Sequence, residues 1–115
     1  MLRTNLTHVL SEKDHAKFIQ ENENVMICCG RMGPMCIPVY ESMEELEGEY
    51  KNVKFADMEF DSPDARVIRR LPECSSFKGL PFVVYYKNGK VVKATSSIQS
   101  RDDIKDILDD NFGKN

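Results

Sequence analysis

The fold of this chain is decided by one stretch of its sequence, VMICCGRMGPMCIP at residues 25–38. The apolar run at the start of this stretch predicts a short strand that is covered on both faces. Gly30 and Gly33 then permit a tight turn, and Pro34 suits the first position of a helix. The stretch holds three of the four cysteines in the chain. We therefore expect any chemistry of this protein to lie at this strand-to-helix corner.

Length and composition restrict the class of protein. With 115 residues, the chain has room for one domain, residues 1–115. A net charge of -3 leaves no basic surplus to neutralise phosphates, so a nucleic-acid partner is not expected. We expect no membrane partner either, because no apolar run is long enough to span a bilayer. The start of the chain is not typical of a signal peptide, which predicts a cytoplasmic protein.

Strand and helix signals alternate along the chain. Periodicity and capping residues predict helices at residues 12–21, 34–49, 64–71 and from Ser100 onward, and strands at residues 6–10, 25–29, 53–60, 80–86 and 91–94. The pair Asn88-Gly89 predicts a tight hairpin turn. The order βαβαβαββα predicts an α/β domain with a central mixed sheet, in which parallel strands carry an antiparallel hairpin at one side and helices cover both faces.

Two further expectations concern single residues. Pro38 lies one turn inside the helix predicted at residues 34–49, where it removes a backbone hydrogen bond and should bend the helix. His8 and His15 are interpreted as surface residues of a strand and a helix.

Three segments of the chain are similar to segments of one known protein family. FKGLPF at 77–82, together with YKNGKVV at 86–92, is similar to the family's segment with the cis-proline, its strand and the hairpin. VKFAD at 53–57 through DSP at 61–63 is similar to the family's third strand and the turn that follows it. PVYESMEEL at 38–46 is similar to the family's proline-containing helix. The resemblance, which is to the thioredoxin family, covers residues 6–112 and implies the thioredoxin fold. It also implies a cis Leu80–Pro81 bond that presents backbone groups to an extended segment of a protein partner, a thioredoxin-reductase-like electron donor, and no cofactor.

The active-site motif of the family, Trp-Cys-Gly-Pro-Cys, is absent from this sequence. Aligning the helix proline with Pro38 puts the family's two cysteines at Gly30 and Gly33. Aligning the Gly-Pro pair instead puts them at Met32 and Met35. The chain therefore resembles an atypical member of the family, without the standard Cys-x-x-Cys motif.

Cys29 and Cys36 bracket the corner and form the candidate catalytic pair. In the exchange mechanism an exposed Cys29 thiolate attacks a partner disulfide, and Cys36 resolves the mixed disulfide. Arg31 and the N-terminal dipole of the next helix would lower the pKa of the attacking thiol. A disulfide needs Cα atoms within roughly 7 Å, so the glycine turn would have to bring the pair together. The alternative for Cys36 is a core position on the apolar stripe of the helix.

The other two cysteines are expected to have different roles. Cys28 is expected to be structural, because adjacent side chains on a strand point to opposite faces and only one of the pair Cys28 and Cys29 can face the corner. Cys74 is either an exposed loop thiol or a resolving partner for Cys29. Convergence of Cys29, Cys36 and Cys74 would suit a zinc or iron–sulfur site, although the sequence lacks close C-x-x-C pairs.

These observations predict thiol–disulfide exchange with a protein partner, and hence a role in cell redox homeostasis. The alternative is a redox-inert binding module on the same fold, which the loss of both standard cysteines favours; a thiolate metal or iron–sulfur site is a third possibility. The residues expected to bind the partner are Gly30, Arg31, Met32, Gly33, Pro34, Leu80 and Pro81.

Overall fold

The computed structural model of the chain describes residues 2–76 and 78–113. The strands are β1 (Thr7–His8), β2 (Asn24–Gly30), β3 (Lys54–Glu59), β4 (Phe82–Lys87) and β5 (Lys90–Ser96). The α-helices are α1 (Glu12–Glu21), α2 (Ile37–Glu47), α3 (Arg66–Arg69) and α4 (Arg101–Phe112), and short 3-10 helices span Pro63–Ala65 and Pro72–Ser76. Phe77, part of one segment that resembles thioredoxin, lies outside the described residues.

The strands form one sheet in the order β1-β3-β2-β4-β5. β3 pairs in parallel with β1 and with β2, whereas β4 pairs antiparallel with β2 and with β5. β2 is therefore the central strand, and it ends at the glycine corner. This mixed sheet confirms the predicted α/β class.

The sheet separates two apolar layers, because successive side chains of a strand point to opposite faces. One layer, here called the α2/α4 layer, packs β2 side chains against buried residues such as Val39 and Ile104 of those two helices. The other, the α1/α3 layer, packs the alternate β2 side chains against Ile68 and the half-buried Phe18. Each layer thus receives every second residue of β2.

Local signals explain where most elements begin. The Ser11 hydroxyl accepts the Asp14 N–H at 3.0 Å and so caps α1. Ser100 and Asp103 form a complete capping box at the start of α4. Asn88 and Gly89 have φ angles of 53° and 79°, as the tight turn between β4 and β5 requires.

Three expectations about the elements are wrong. α2 begins at Ile37 rather than Pro34, because Gly33 to Cys36 form a separate turn in which the Gly33 carbonyl accepts the N–H groups of Cys36 and Ile37. Pro38 consequently lies in the first turn of α2, where its missing N–H would have had no helical partner, and it has no reason to bend the helix. The continuous helix expected at residues 64–71 is only the short 3-10 and α segments given above.

His15 is buried and not a surface residue. Its Nε2 atom lies 2.9 Å from the hydroxyl of Tyr86, and burial lowers the pKa of its imidazole. Among the described residues, no helix combines the length and apolar character needed to cross a membrane.

Candidate functional site

Cys28 and Cys29 at the end of β2 lie in different layers. Cys28 belongs to the α2/α4 layer and Cys29 to the α1/α3 layer, and neither has any exposed surface. Burial, opposed in part by the charge of Arg69, raises the pKa of the Cys29 thiol to about 12. The expectation of an exposed, activated Cys29 is therefore wrong, since its position on the strand directs it into an apolar core.

Cys36 stands at the strand-to-helix corner, immediately before α2. It is 2% exposed and packs in the α2/α4 layer, on the same side of the sheet as Cys28. The backbone N–H of Arg31 points at its sulfur, with an N···S distance of 3.5 Å. The Cys36 sulfur is therefore buried in the layer and in contact with a backbone donor.

Gly30 lies where three side chains meet, those of Cys36, Tyr40 and Pro81. A Cβ atom at Gly30 would lie 2.8 Å from the Tyr40 hydroxyl, 2.9 Å from the Cys36 sulfur and 3.3 Å from Cβ of Pro81. Distances of this size leave no room for a side chain, so glycine is required here for close approach. The hydroxyl and the thiol consequently converge on the end of β2.

Tyr40 places a polar group inside this layer. The residue is 2% exposed, and its hydroxyl has no hydrogen-bond partner within residues 2–76 and 78–113. A buried unsatisfied hydroxyl costs about 1–3 kcal/mol, which makes its placement notable. Burial, followed by the proximity of Cys28 and Cys36, raises the pKa of Tyr40 well above its usual range. The phenol therefore stays protonated and is available as a donor.

The Arg31 side chain forms an ion pair at the surface. Its guanidinium donates to both carboxylate oxygens of Asp61, at 2.8 and 2.9 Å, and lies 5.5 Å from the centre of the Phe60 ring. The hydrogen bond from Arg31 lowers the pKa of the Asp61 carboxyl. Arg31 thus pairs with Asp61 through its guanidinium and contacts the Cys36 sulfur through its backbone N–H.

A groove of about 450 Å³ opens over the corner. It is lined by Arg31, Gly33, Pro34, Met35, Cys36, Phe60, Gly79 and Leu80. Its surface is largely apolar, and Met35 is 43% exposed beside it. The Leu80–Pro81 peptide bond at its margin is cis.

The residues expected to bind a partner are mostly gathered here. Arg31, Gly33, Pro34 and Leu80 line the groove, and Gly30 and Pro81 lie against each other next to Cys36. Met32 does not belong to this group, because its sulfur accepts the backbone N–H of Arg3 at 3.3 Å, on the side of the N-terminal segment.

A carboxyl group is buried beneath the corner. Asp57 pairs in register with Cys28 and is 1% exposed. Its carboxylate accepts a hydrogen bond from the Thr4 hydroxyl and lies 2.7 Å from Nδ1 of His8. Burial raises the pKa of Asp57, although the hydrogen bonds from Thr4 and His8 act in the opposite direction.

Cys74 lies on the other side of the sheet. It is half-buried in the second 3-10 helix and packs against the α1/α3 layer that contains Cys29. Burial raises the pKa of its thiol. The expected convergence of Cys29, Cys36 and Cys74 is therefore not found, and the described part of the chain contains no group of three or more His, Cys, Asp or Glu side chains placed to hold a metal ion.

Sequence reasoning overlooked Tyr40 and Phe60 as members of this site. The spacing offers a signal for Tyr40, since a residue four positions after Cys36 lies on the same face of a helical segment. A backbone hydrogen bond confirms this spacing, because the Tyr40 N–H donates to the Cys36 carbonyl at 3.1 Å. No comparable signal points to Phe60, which reaches the groove through the pairing of β2 with β3.

Solved structures provide the comparison with known proteins. The chain superposes on thioredoxin f2 of Chlamydomonas reinhardtii with a TM-score of 0.79 and 14% identity, covering 96% of this chain and 100% of that one. For thioredoxin O2 of Arabidopsis thaliana in the oxidised state, the TM-score is 0.75 with 11% identity, covering 96% and 97% of the two chains. For mitochondrial thioredoxin 3 of Saccharomyces cerevisiae in its oxidised form, it is 0.74 with 19% identity, covering 91% and 94%.

Sequence comparison alone finds no such similarity. No family model matches the chain, and no curated protein matches it either. The similarity to known proteins therefore lies in the arrangement of the helices and strands. In each superposition it extends over nearly the whole length of both chains. Strand order, helix placement and these superpositions agree, and together they show that the chain has the thioredoxin fold.

Proposed function

We propose that this protein carries out thiol–disulfide exchange with a protein partner, and that Cys36 is the reacting thiol. The observation that carries the proposal is the position of Cys36. Of the four cysteines, all within the described residues, Cys36 alone lines the groove at the corner. Its sulfur also receives the Arg31 N–H. Cys29, the alternative attacking thiol, is fully buried with a pKa raised to about 12.

The exchange proceeds in two displacement steps. The Cys36 thiolate attacks one sulfur of a partner disulfide, and a new S–S bond forms as the partner's S–S bond breaks. The leaving sulfur departs as a thiolate and takes a proton from water. A low-molecular-weight thiol such as glutathione then attacks the Cys36 sulfur and releases the second partner thiol, and another molecule of that thiol restores Cys36. The overall reaction converts two small thiols and the partner disulfide into one small disulfide and the partner dithiol.

The groove supplies the binding surface in this proposal. An extended segment of the partner lies over Gly33, Pro34 and Leu80, with its disulfide directed toward Cys36. The apolar lining and the exposed Met35 favour apolar residues on either side of the partner's cysteine. Because Cys36 is 2% exposed, attack requires a small displacement of the turn from Gly33 to Cys36.

A turnover assay tests the proposal. We expect the protein to accelerate the reduction of a synthetic peptide that contains one intramolecular disulfide, with glutathione as the reductant. Cys36→Ser should abolish the acceleration. Cys74→Ser is the matched control, because Cys74 lies on the other side of the sheet, and it should retain the activity. An unchanged rate in Cys36→Ser, or no acceleration by the wild-type protein, contradicts the proposal.

The second candidate is a redox-inert binding module that holds a partner segment in the same groove. The near-complete burial of Cys36 is the observation that favours it. In that case the same peptide with both cysteines replaced by serine should bind without any exchange. Titration of this peptide into isotope-labelled protein, followed by NMR at Met35 and Leu80, distinguishes the two. Binding together with no turnover supports the module, and turnover supports the exchange.

A further inference from the structure

We propose that Tyr40 is a positioning residue for Cys36, and that its hydroxyl donates a hydrogen bond to the Cys36 sulfur when that sulfur is a thiolate. The inference deepens the proposed function and rests on it for its biological use, although it can be tested on the thiol alone. Tyr40 is not among the residues that line the groove.

The argument begins with the geometry at Gly30. The Tyr40 hydroxyl and the Cys36 sulfur both lie within 3 Å of one point, the position that a Cβ of residue 30 would occupy. A side chain at this point would keep the two groups apart. The absence of a side chain at residue 30 leaves both groups against the end of β2.

The second observation is that the Tyr40 hydroxyl is unsatisfied. Within the described residues it has no hydrogen-bond partner, although it is almost completely buried. A tyrosine hydroxyl in such a position usually finds an acceptor. A neutral thiol is a weak acceptor, whereas a thiolate accepts strongly. The hydroxyl is therefore placed to be satisfied in the ionised state of Cys36 and not in the neutral state.

The surroundings of the pair identify the other groups that influence its titration. Cys28 approaches from β2, Asp57 from β3, and Arg31 contributes a backbone N–H from the corner. His8 pairs with Asp57 behind this cluster. Burial raises the pKa of the Cys28 thiol and of the Asp57 carboxyl. Tyr40 and the Arg31 N–H are then the two donors that oppose the desolvation of a Cys36 thiolate.

The test measures the pH dependence of Cys36 alkylation. Iodoacetamide labels the protein at a series of pH values, and peptide mass spectrometry gives the rate at Cys36. We expect Tyr40→Phe to slow the labelling of Cys36 near neutral pH about tenfold, because the reacting thiolate loses a hydrogen-bond donor. The folded state should be retained, because the change only removes an unsatisfied hydroxyl, and far-ultraviolet circular dichroism checks this.

Tyr85→Phe is the matched control. Tyr85 is also fully buried in the α2/α4 layer, and its hydroxyl is also unpartnered among the described residues. Its removal should leave the pH profile of Cys36 unchanged. The inference is overturned if Tyr40→Phe keeps the wild-type profile, if both variants shift it equally, or if wild-type Cys36 shows no pH-dependent labelling. A shifted profile without any peptide-disulfide reduction would leave the inference intact and reject the proposed function instead.

Discussion

The two apolar layers of this protein hold chemically identical thiols in different surroundings. In the α1/α3 layer, Cys29 has apolar neighbours and a pKa raised to about 12, and Cys74 approaches it from a 3-10 helix. In the α2/α4 layer, Cys36 receives a backbone N–H, lies against Gly30 together with the Tyr40 hydroxyl, and lines an open groove.

This difference shows that the face of the sheet to which a residue points, and not its proximity in sequence, decides which thiol reaches the corner. Cys28 and Cys29 are neighbours, yet the sheet separates them. Cys36 joins the corner because the turn at Gly33 delays the start of α2. The four predictions that follow test how the two layers differ, beginning with the largest expected effect.

The close approach at Gly30 is the feature most sensitive to change. Gly30→Ala adds a methyl group that meets the Tyr40 hydroxyl and the Cys36 sulfur at less than 3 Å, and we expect it to lower the free energy of unfolding by about 2–3 kcal/mol. Gly33→Ala is the control, since a Cβ there meets nothing within 4 Å, and its effect should stay within about 0.5 kcal/mol. Urea denaturation measures both. Equal effects would show that the corner is not packed as described.

Cys29 should behave as a core residue. Cys29→Ser buries a hydroxyl among apolar side chains, and we expect a loss of about 1–2 kcal/mol of stability. Cys74→Ser, at a half-buried position in the same layer, should change stability by less than about 0.5 kcal/mol. Both variants should keep the reactivity of Cys36. A loss of that reactivity in Cys29→Ser, with the fold retained, would mean that the layers are chemically coupled.

His15 makes the α1/α3 side sensitive to acid. Burial lowers the pKa of His15 in the folded state, so the unfolded state binds a proton first as the pH falls. The stability that depends on neutral His15 is therefore fully present above the pKa of histidine in the unfolded state, roughly 6.5. It is lost as the pH falls from there through the lowered folded value. Replacing His15 with glutamine should flatten the change in stability between pH 7.5 and pH 5. A variant with the same slope as the wild type would argue against a buried neutral imidazole.

The Arg31 side chain should have the smallest effect. Its guanidinium pairs with Asp61 at the surface, where both side chains are more than half exposed, and such pairs contribute little. We expect Arg31→Gln to leave stability and the labelling rate of Cys36 unchanged within error, because the N–H that faces the sulfur belongs to the backbone. A clear fall in the labelling rate would restore the guanidinium to the role that the sequence suggested.

The sequence contains most of the information about the fold. The apolar run of β2, the serine caps of α1 and α4, and the Asn88-Gly89 turn are local signals, and each predicted its element. The start of α2 was harder to predict, because Pro34 and Pro38 both suit a first helical turn. The choice between them depends on the hydrogen bonds to the Gly33 carbonyl.

The site could be predicted only in part. The corner and its groove follow from the position of the glycines and of Leu80-Pro81 in the sequence. The direction of Cys29 and the approach of the Tyr40 hydroxyl to Gly30 depend on how β2 is aligned with β3 and β4, and this register is set by contacts distant in sequence. Distances of a few ångströms between segments that are distant in sequence therefore cannot be predicted from the pattern of residue types.

One measurement tests the central claim most directly. The folded wild-type protein is oxidised with glutathione disulfide, and its four thiols are then identified by peptide mapping. The account predicts glutathione on Cys36, with Cys28 and Cys29 recovered as free thiols. Glutathione on Cys29, or a disulfide between Cys29 and Cys36, would contradict it, because either product requires the Cys29 thiol to leave the α1/α3 layer.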